Sequence, residues 1–222
     1  EQLLEVTVGM ADTMMVSTVG ESAVSGVSLV DMLNVLIIDI FAGLASGGAV
    51  VASQFIGAKN RRGSERSSGQ LILIAAISGI AVSAAVLLLR RPLLRLLFRS
   101  VEDEVMASAL TYFTVTALSF PFISVYNAAA ALFRSMGNSR ISMISSLVIN
   151  IINIIGNSIF IFGFGMGVAG AALATVLSQM ISAVLPIVVL LRQKEDRLEL
   201  RKLRIERSLL GRILRIGIPA GL

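Results

Sequence analysis

The chain has 222 residues, 55% of them hydrophobic and only 15% charged, with a mean hydropathy of +0.87 and a net charge of +5. Soluble domains carry about 25% charged residues, so an ordinary water-soluble globule is excluded and a lipid bilayer is the natural solvent. With no cysteine and no histidine, disulfides, thiolate nucleophiles, imidazole bases and the usual zinc ligands are excluded as well.

Six apolar runs follow one another at roughly 3–19, 26–52, 69–89, 107–133, 141–162 and 167–191. Most approach or exceed the ~20 residues that a helix needs to cross a hydrocarbon core. They predict an all-α, polytopic integral membrane protein with a six-helix lobe over 1–191. A basic cytoplasmic linker over 192–212 and the start of a seventh helix over 213–222 complete the expected layout. The first run opens at the chain start without Met, and the native start is expected upstream. No basic n-region or small-residue cleavage site of a secretory signal is visible.

Fifteen of the 19 lysines and arginines fall in loop 2–3 (GAKNRRGSERSS), loop 4–5 (RSMGNSR) and the segment after run six. Basic loops resist translocation, which predicts that these segments and the N-terminus are cytoplasmic, in a plasma (inner) membrane. Loop 3–4, RRPLLRLLFRSVEDE, interleaves Arg with Leu and Phe and is expected to form a short helix in the outer interface. The stretch 192–215 either rests on an anionic leaflet or is a solvated linker. Nucleic-acid binding explains the charge poorly, since no aromatic platform accompanies the basic residues.

Ionisable and amide groups inside membrane spans are functional candidates by default. In run one, Glu5 and Asp12 share a helix face. In run two, Asp31 and Asp39 lie on a stripe with Ser28, Ser46 and Ser53. In run five, Asn150, Asn153 and Asn157 fall within about 60° of one another. The amides serve either as interhelical hydrogen-bonding groups or as a cavity lining. Asp31 is either part of a cavity or merely solvated near the outer interface. A carboxylate such as Asp12 contributes little to packing; its use is to bind and release a proton or sodium ion. Gly43 and Gly47 read as a packing notch, Pro121 and Pro186 as bends. Met14, Met15, Phe41 and Phe160 are candidates for adaptable apolar walls, with lipid or core contact as the plain alternative.

Several stretches together resemble the multidrug and toxic compound extrusion (MATE) transporters. They are GMADTMMVSTVG in run one, GGAVVASQFIGAKNRR at the end of run two, LFRSMGNSRISM around loop 4–5, and NIINIIGNSIFIFGFGMGVAGAALATVLSQ through runs five and six. The resemblance implies the N-terminal lobe of a twelve-helix antiporter, its two six-helix lobes related by a pseudo-two-fold axis. Such a protein exports organic, cationic and amphiphilic compounds in exchange for protons or sodium, without a cofactor and without being an enzyme. It implies a cation site at Asp12, Asn153 and Asn157, with sodium as the candidate metal there. Asn157 departs from the pattern, because many relatives carry a carboxylate at that position; either Asp12 is the only N-lobe carboxylate of the site, or Glu5 and Asp39 compensate. Asp39, Asn150, Asp31 and Met15 are candidate cavity-lining residues. The expected partners are membrane lipids, small organic substrates and the C-terminal lobe of the same full-length chain, with no nucleic acid. A lipid-linked saccharide flippase of the wider superfamily is the alternative, weakened because every Lys and Arg can be assigned to a loop or a span end. A membrane-embedded lipid transferase would want clustered carboxylates of Asp-x-x-Asp type, which are missing.

Overall fold

The computed structural model describes residues 13–192 and 206–220. Helix α1 is described from residue 13 to residue 17. Then come α2 (Glu21–Gly57), α3 (Arg61–Leu97), α4 (Asp103–Thr116), a 3₁₀ turn (Ala117–Ser119) and α5 (Phe120–Ser135). The chain continues with α6 (Ser139–Asn157), a π-helical turn (Ser158–Gly163), α7 (Gly167–Arg192) and α8 (Arg207–Ala220). No strand occurs among the described residues. Among the described residues, five helical stretches are long and apolar enough to cross a membrane: α2, α3, α4 through α5, α6 with its π turn, and α7. Large apolar side chains stand on the outside, among them Leu88, Met32, Ile80 and Val184. A helix satisfies its own backbone, so such an exterior is stable in hydrocarbon and costly in water.

The helix ends are written in local chemistry. Lys59 sits at φ +53°, and the Asn60 and Lys59 amides donate to Phe55 O and Ile56 O, both at 2.9 Å, which closes α2. Asn60 then opens α3, its Oδ1 accepting the Gly63 N–H at 3.0 Å. Gly137, at φ +76°, closes α5 in the same way, with Asn138 N–H on Phe133 O and Gly137 N–H on Arg134 O. Glycine takes this left-handed conformation freely, whereas Lys59 does not. Between α4 and α5, Pro121 lacks the N–H that an α-helix needs, and the chain tightens into the 3₁₀ turn just before it.

Two boundaries differ from the sequence expectation. Residues 90–97 of loop 3–4 form no separate interfacial helix; they continue α3 straight through Pro92 to Leu97. Leu94, fully buried, anchors that extension. The last helix begins at Arg207, inside the stretch expected to be linker. Its Leu209, Ile213 and Gly217 recur at helical spacing and are buried, so packing draws the helix start forward.

The chain divides into two compact units. Among the described residues the first comprises 13–35, 81–120 and 146–181. Its helices approach closely at small residues: a side chain on Gly26 would strike the backbone of Val105 and Ala109 at 2.8 Å, and one on Gly156 would strike Ala174 at 2.9 Å. The second unit comprises 36–80, 121–145, 182–192 and 206–220. Its core joins Leu44, Val51, Leu71, Leu132, Phe133, Leu190 and Ile213. Ser124 Oγ donates to Ala75 O at 2.8 Å, tying α5 to α3. The Gly43–Gly47 notch holds α8: Gly47 faces the backbone of Gly217, and a side chain on Gly217 would meet Leu44 Cα at 3.0 Å and Gly43 O at 3.2 Å.

Candidate functional site

The amide stripe of α6 lies in the first unit. Its helix is rich in Ile, and Asn153 and Asn157 point inward, 6% and 1% exposed. Asn157 Nδ2 donates to Asn153 Oδ1 at 3.2 Å. Asn153 Nδ2 donates to Thr175 Oγ1 of α7 at 3.3 Å, and Thr175 Oγ1 donates to Ala171 O at 3.1 Å. The close approach of Gly156 to Ala174 lets α6 and α7 come near enough for this bridge. Immediately after Asn157 the helix widens into the π turn, a distortion frequent at functional sites. Phe160 and Phe164, one within and one just beyond that turn, stack with ring centroids 6.1 Å apart.

The cluster offers neutral oxygens: the Asn153 and Asn157 carbonyls and the Thr175 hydroxyl. Hard cations prefer oxygen donors of this kind. Amides do not titrate, so these three groups can hold an ion but cannot exchange a proton. Asn150, the third amide of the stripe, is half-buried, and its Nδ2 has no hydrogen-bond partner among the described residues. Asp12 and Glu5, the expected carboxylates of this site, lie outside the described residues.

Asp31 has other partners. It stands exposed on α2 and accepts hydrogen bonds from the buried Tyr112 hydroxyl of α4 and from the Asn34 amide one turn along its own helix. Asp39 is exposed on α2 and belongs to the second unit. Met15 is half-buried, its carbonyl accepting from Thr18 Oγ1 at 2.7 Å, whereas Met14 is exposed. Phe41 is a fully packed core residue, not a wall. Thr175, Tyr112 and Asn34 were missed by the sequence reading. Thr175 closes the Gly-x-x-Gly-Ala-Ala-x-Ala-Thr stretch, and Asn34 stands three residues after Asp31 on the same face. Tyr112 carries no sequence signal beyond being a phenol in an apolar run.

The sequence profile of the MatE family matches residues 1–159. Over 226 residues the chain is 30% identical to the uncharacterized transporter YisQ of Bacillus subtilis, covering 99% of this chain and 49% of YisQ. It is 29% identical to the probable multidrug resistance protein NorM of Thermotoga maritima, covering 100% of this chain and 48% of NorM. An outward-facing multidrug resistance MATE family transporter of the MOP superfamily matches with a TM-score of 0.92 and 26% identity, over 99% of this chain and 49% of that one. A crystal structure of MATE in the bent conformation matches with a TM-score of 0.91 over 98% of this chain and 49% of that one. The chain thus spans about half the length of the relatives it matches. With its apolar exterior, five spans among the described residues and a match along most of its length, the chain belongs to the MatE family of multidrug and toxic compound extrusion transporters.

Proposed function

We propose that this chain is the N-terminal lobe of a secondary antiporter that exports organic, cationic amphiphilic compounds in exchange for protons or sodium. The observation that carries this reading is the Asn157–Asn153–Thr175 chain of hydrogen bonds, two buried amides and a half-buried hydroxyl joining two lipid-embedded helices. Asp12 supplies the ionisable member and Glu5 a second carboxylate. An ion that binds one conformation of the lobe pair better than another shifts their populations, and that differential affinity does the moving. Relatives named as a probable multidrug resistance protein and as a multidrug export protein support export of multiple compounds. The basic loops 57–68 and 134–140 face the cytoplasm in this reading, as does the linker after α7. The remaining lobe of the full-length chain and the surrounding lipid are the partners.

The test is dye efflux from proteoliposomes holding the full-length protein, with pH and sodium gradients imposed separately. Asp12→Asn and Asn157→Leu should each abolish gradient-driven efflux while the protein still inserts. Unchanged ion-driven export in Asp12→Asn would sink the site assignment.

A further inference from the structure

A second site lies in the second unit, where α2 ends, α3 begins and α8 packs beside them. A cleft of about 460 Å³ opens there. Arg62 and Arg66, one turn apart on α3, line it together with Arg212 of α8 and Asn60 at the α3 cap. Phe55 and the buried Leu209 supply its apolar wall. Gly63 has no side chain, which leaves room for the Phe55 ring to lie against α3.

The cleft is built on fixed elements. Glu206, the residue before α8, donates its backbone N–H to Oε1 of the buried Gln70 at 3.0 Å, and Gly217 seats the far end of α8 on α2. Charge in the cleft is unbalanced. Arg61 turns to Glu65, its Nε 3.0 Å from the carboxylate, and lies outside the lining. Arg66 Nη1 stands 3.7 Å from Glu206 Oε1, too far for a hydrogen bond. Arg62 and Arg212 form no ion pair with any described residue. Among the described residues, three guanidinium groups therefore line the cleft against one carboxylate.

We infer that this cleft binds the phosphate of an anionic lipid headgroup. Guanidinium groups present paired donors that match phosphate oxygens, and two such forks from different helices make a clamp. The source of the phosphate follows from position. The cleft sits where the spans α2 and α3 end, at the level where headgroups lie, and Phe55 and Leu209 offer apolar surface to the glycerol and first acyl carbons. A phosphate bridging Arg62, Arg66 and Arg212 would fasten the base of α8 to α3. This inference does not depend on the coupling ion or on the exported compound.

The experiment measures binding of phosphatidylglycerol, against phosphatidylcholine, to the full-length protein in detergent, by saturable rise in melting temperature and by mass spectrometry of intact complexes. Arg62→Gln with Arg212→Gln should weaken phosphatidylglycerol binding by roughly thirtyfold, about fivefold for each basic residue removed at a membrane surface. Arg140→Gln, at an exposed arginine in the other basic loop, should leave it within a fewfold of the parent. Glu206→Gln should tighten binding, because it removes the carboxylate that competes for Arg66; weaker binding counts against the site. The Glu206 variant alone decides the matter if the double variant does not fold. Equal binding of the two lipids, or a loss in Arg140→Gln as large as in the pair, overturns the inference. So does an equal stabilisation by soluble glycerol phosphate, which would make the lipid irrelevant.

Discussion

Asn157 donates its side-chain amide to the Asn153 carbonyl oxygen one turn earlier, at 3.2 Å, and both groups are sealed from solvent. A helix places residues four apart on one face, and Asn153 is itself held by Thr175 of α7. The pair is thus oriented by a third residue on another helix.

That orientation predicts energetic coupling. Asn153→Ala and Thr175→Val should each destabilise the protein, and a double-mutant cycle should return a coupling of about 0.6 kcal/mol, typical of interhelical hydrogen bonds in membranes. Denaturation in mixed micelles measures it. Zero coupling would mean that the bridge is not formed in the bilayer.

Gly47 faces the backbone of Gly217, while nothing lies within 4 Å of a side chain placed on Gly57. Gly47→Ala should therefore cost about 1–3 kcal/mol by forcing α8 off α2. Gly57→Ala should be neutral or stabilising by up to about 1 kcal/mol, since alanine restricts the unfolded chain. Melting temperatures of the two variants, measured side by side, distinguish these effects.

Lys59 occupies a left-handed conformation that costs a non-glycine residue about 1–2 kcal/mol. Lys59→Gly should recover part of that and raise the melting temperature. Its neighbour behaves oppositely: Asn60→Ala removes the acceptor for the Gly63 N–H and should lower stability by about 1 kcal/mol.

Tyr112 is buried, and its hydroxyl donates a hydrogen bond to Asp31. Tyr112→Phe keeps the ring packing and deletes that bond, so a loss of about 1 kcal/mol is expected, and none in an Asp31→Ala, Tyr112→Phe pair beyond the Asp31→Ala change, because alanine leaves the hydroxyl no acceptor there. Thermal denaturation of the three variants checks this. A large extra loss in the pair would show that the hydroxyl serves another partner.

Much of the fold was legible because the bilayer imposes a simple rule: a span needs a long apolar run, and α2, α3, α6 and α7 each contain one. Where the rule is weak, the reading was weak. Arg90, Arg91 and Pro92 looked like a break, yet α3 continues, since burial of Leu94 rewards the extra turns. The basic residues near 207 looked like linker, yet Leu209 and Ile213 have a core to enter.

The amino-acid sequence alone determined the solvent of this protein, its helical class and the faces on which its amides lie, because these depend on composition and on the period of one helix. Tertiary structure decided which groups meet. Asp31 and Tyr112, Asn153 and Thr175, Gly47 and Gly217 are far apart along the chain, and no local periodicity can pair them. Only the crossing of packed helices sets those distances, and through them the chemistry that each polar side chain can perform.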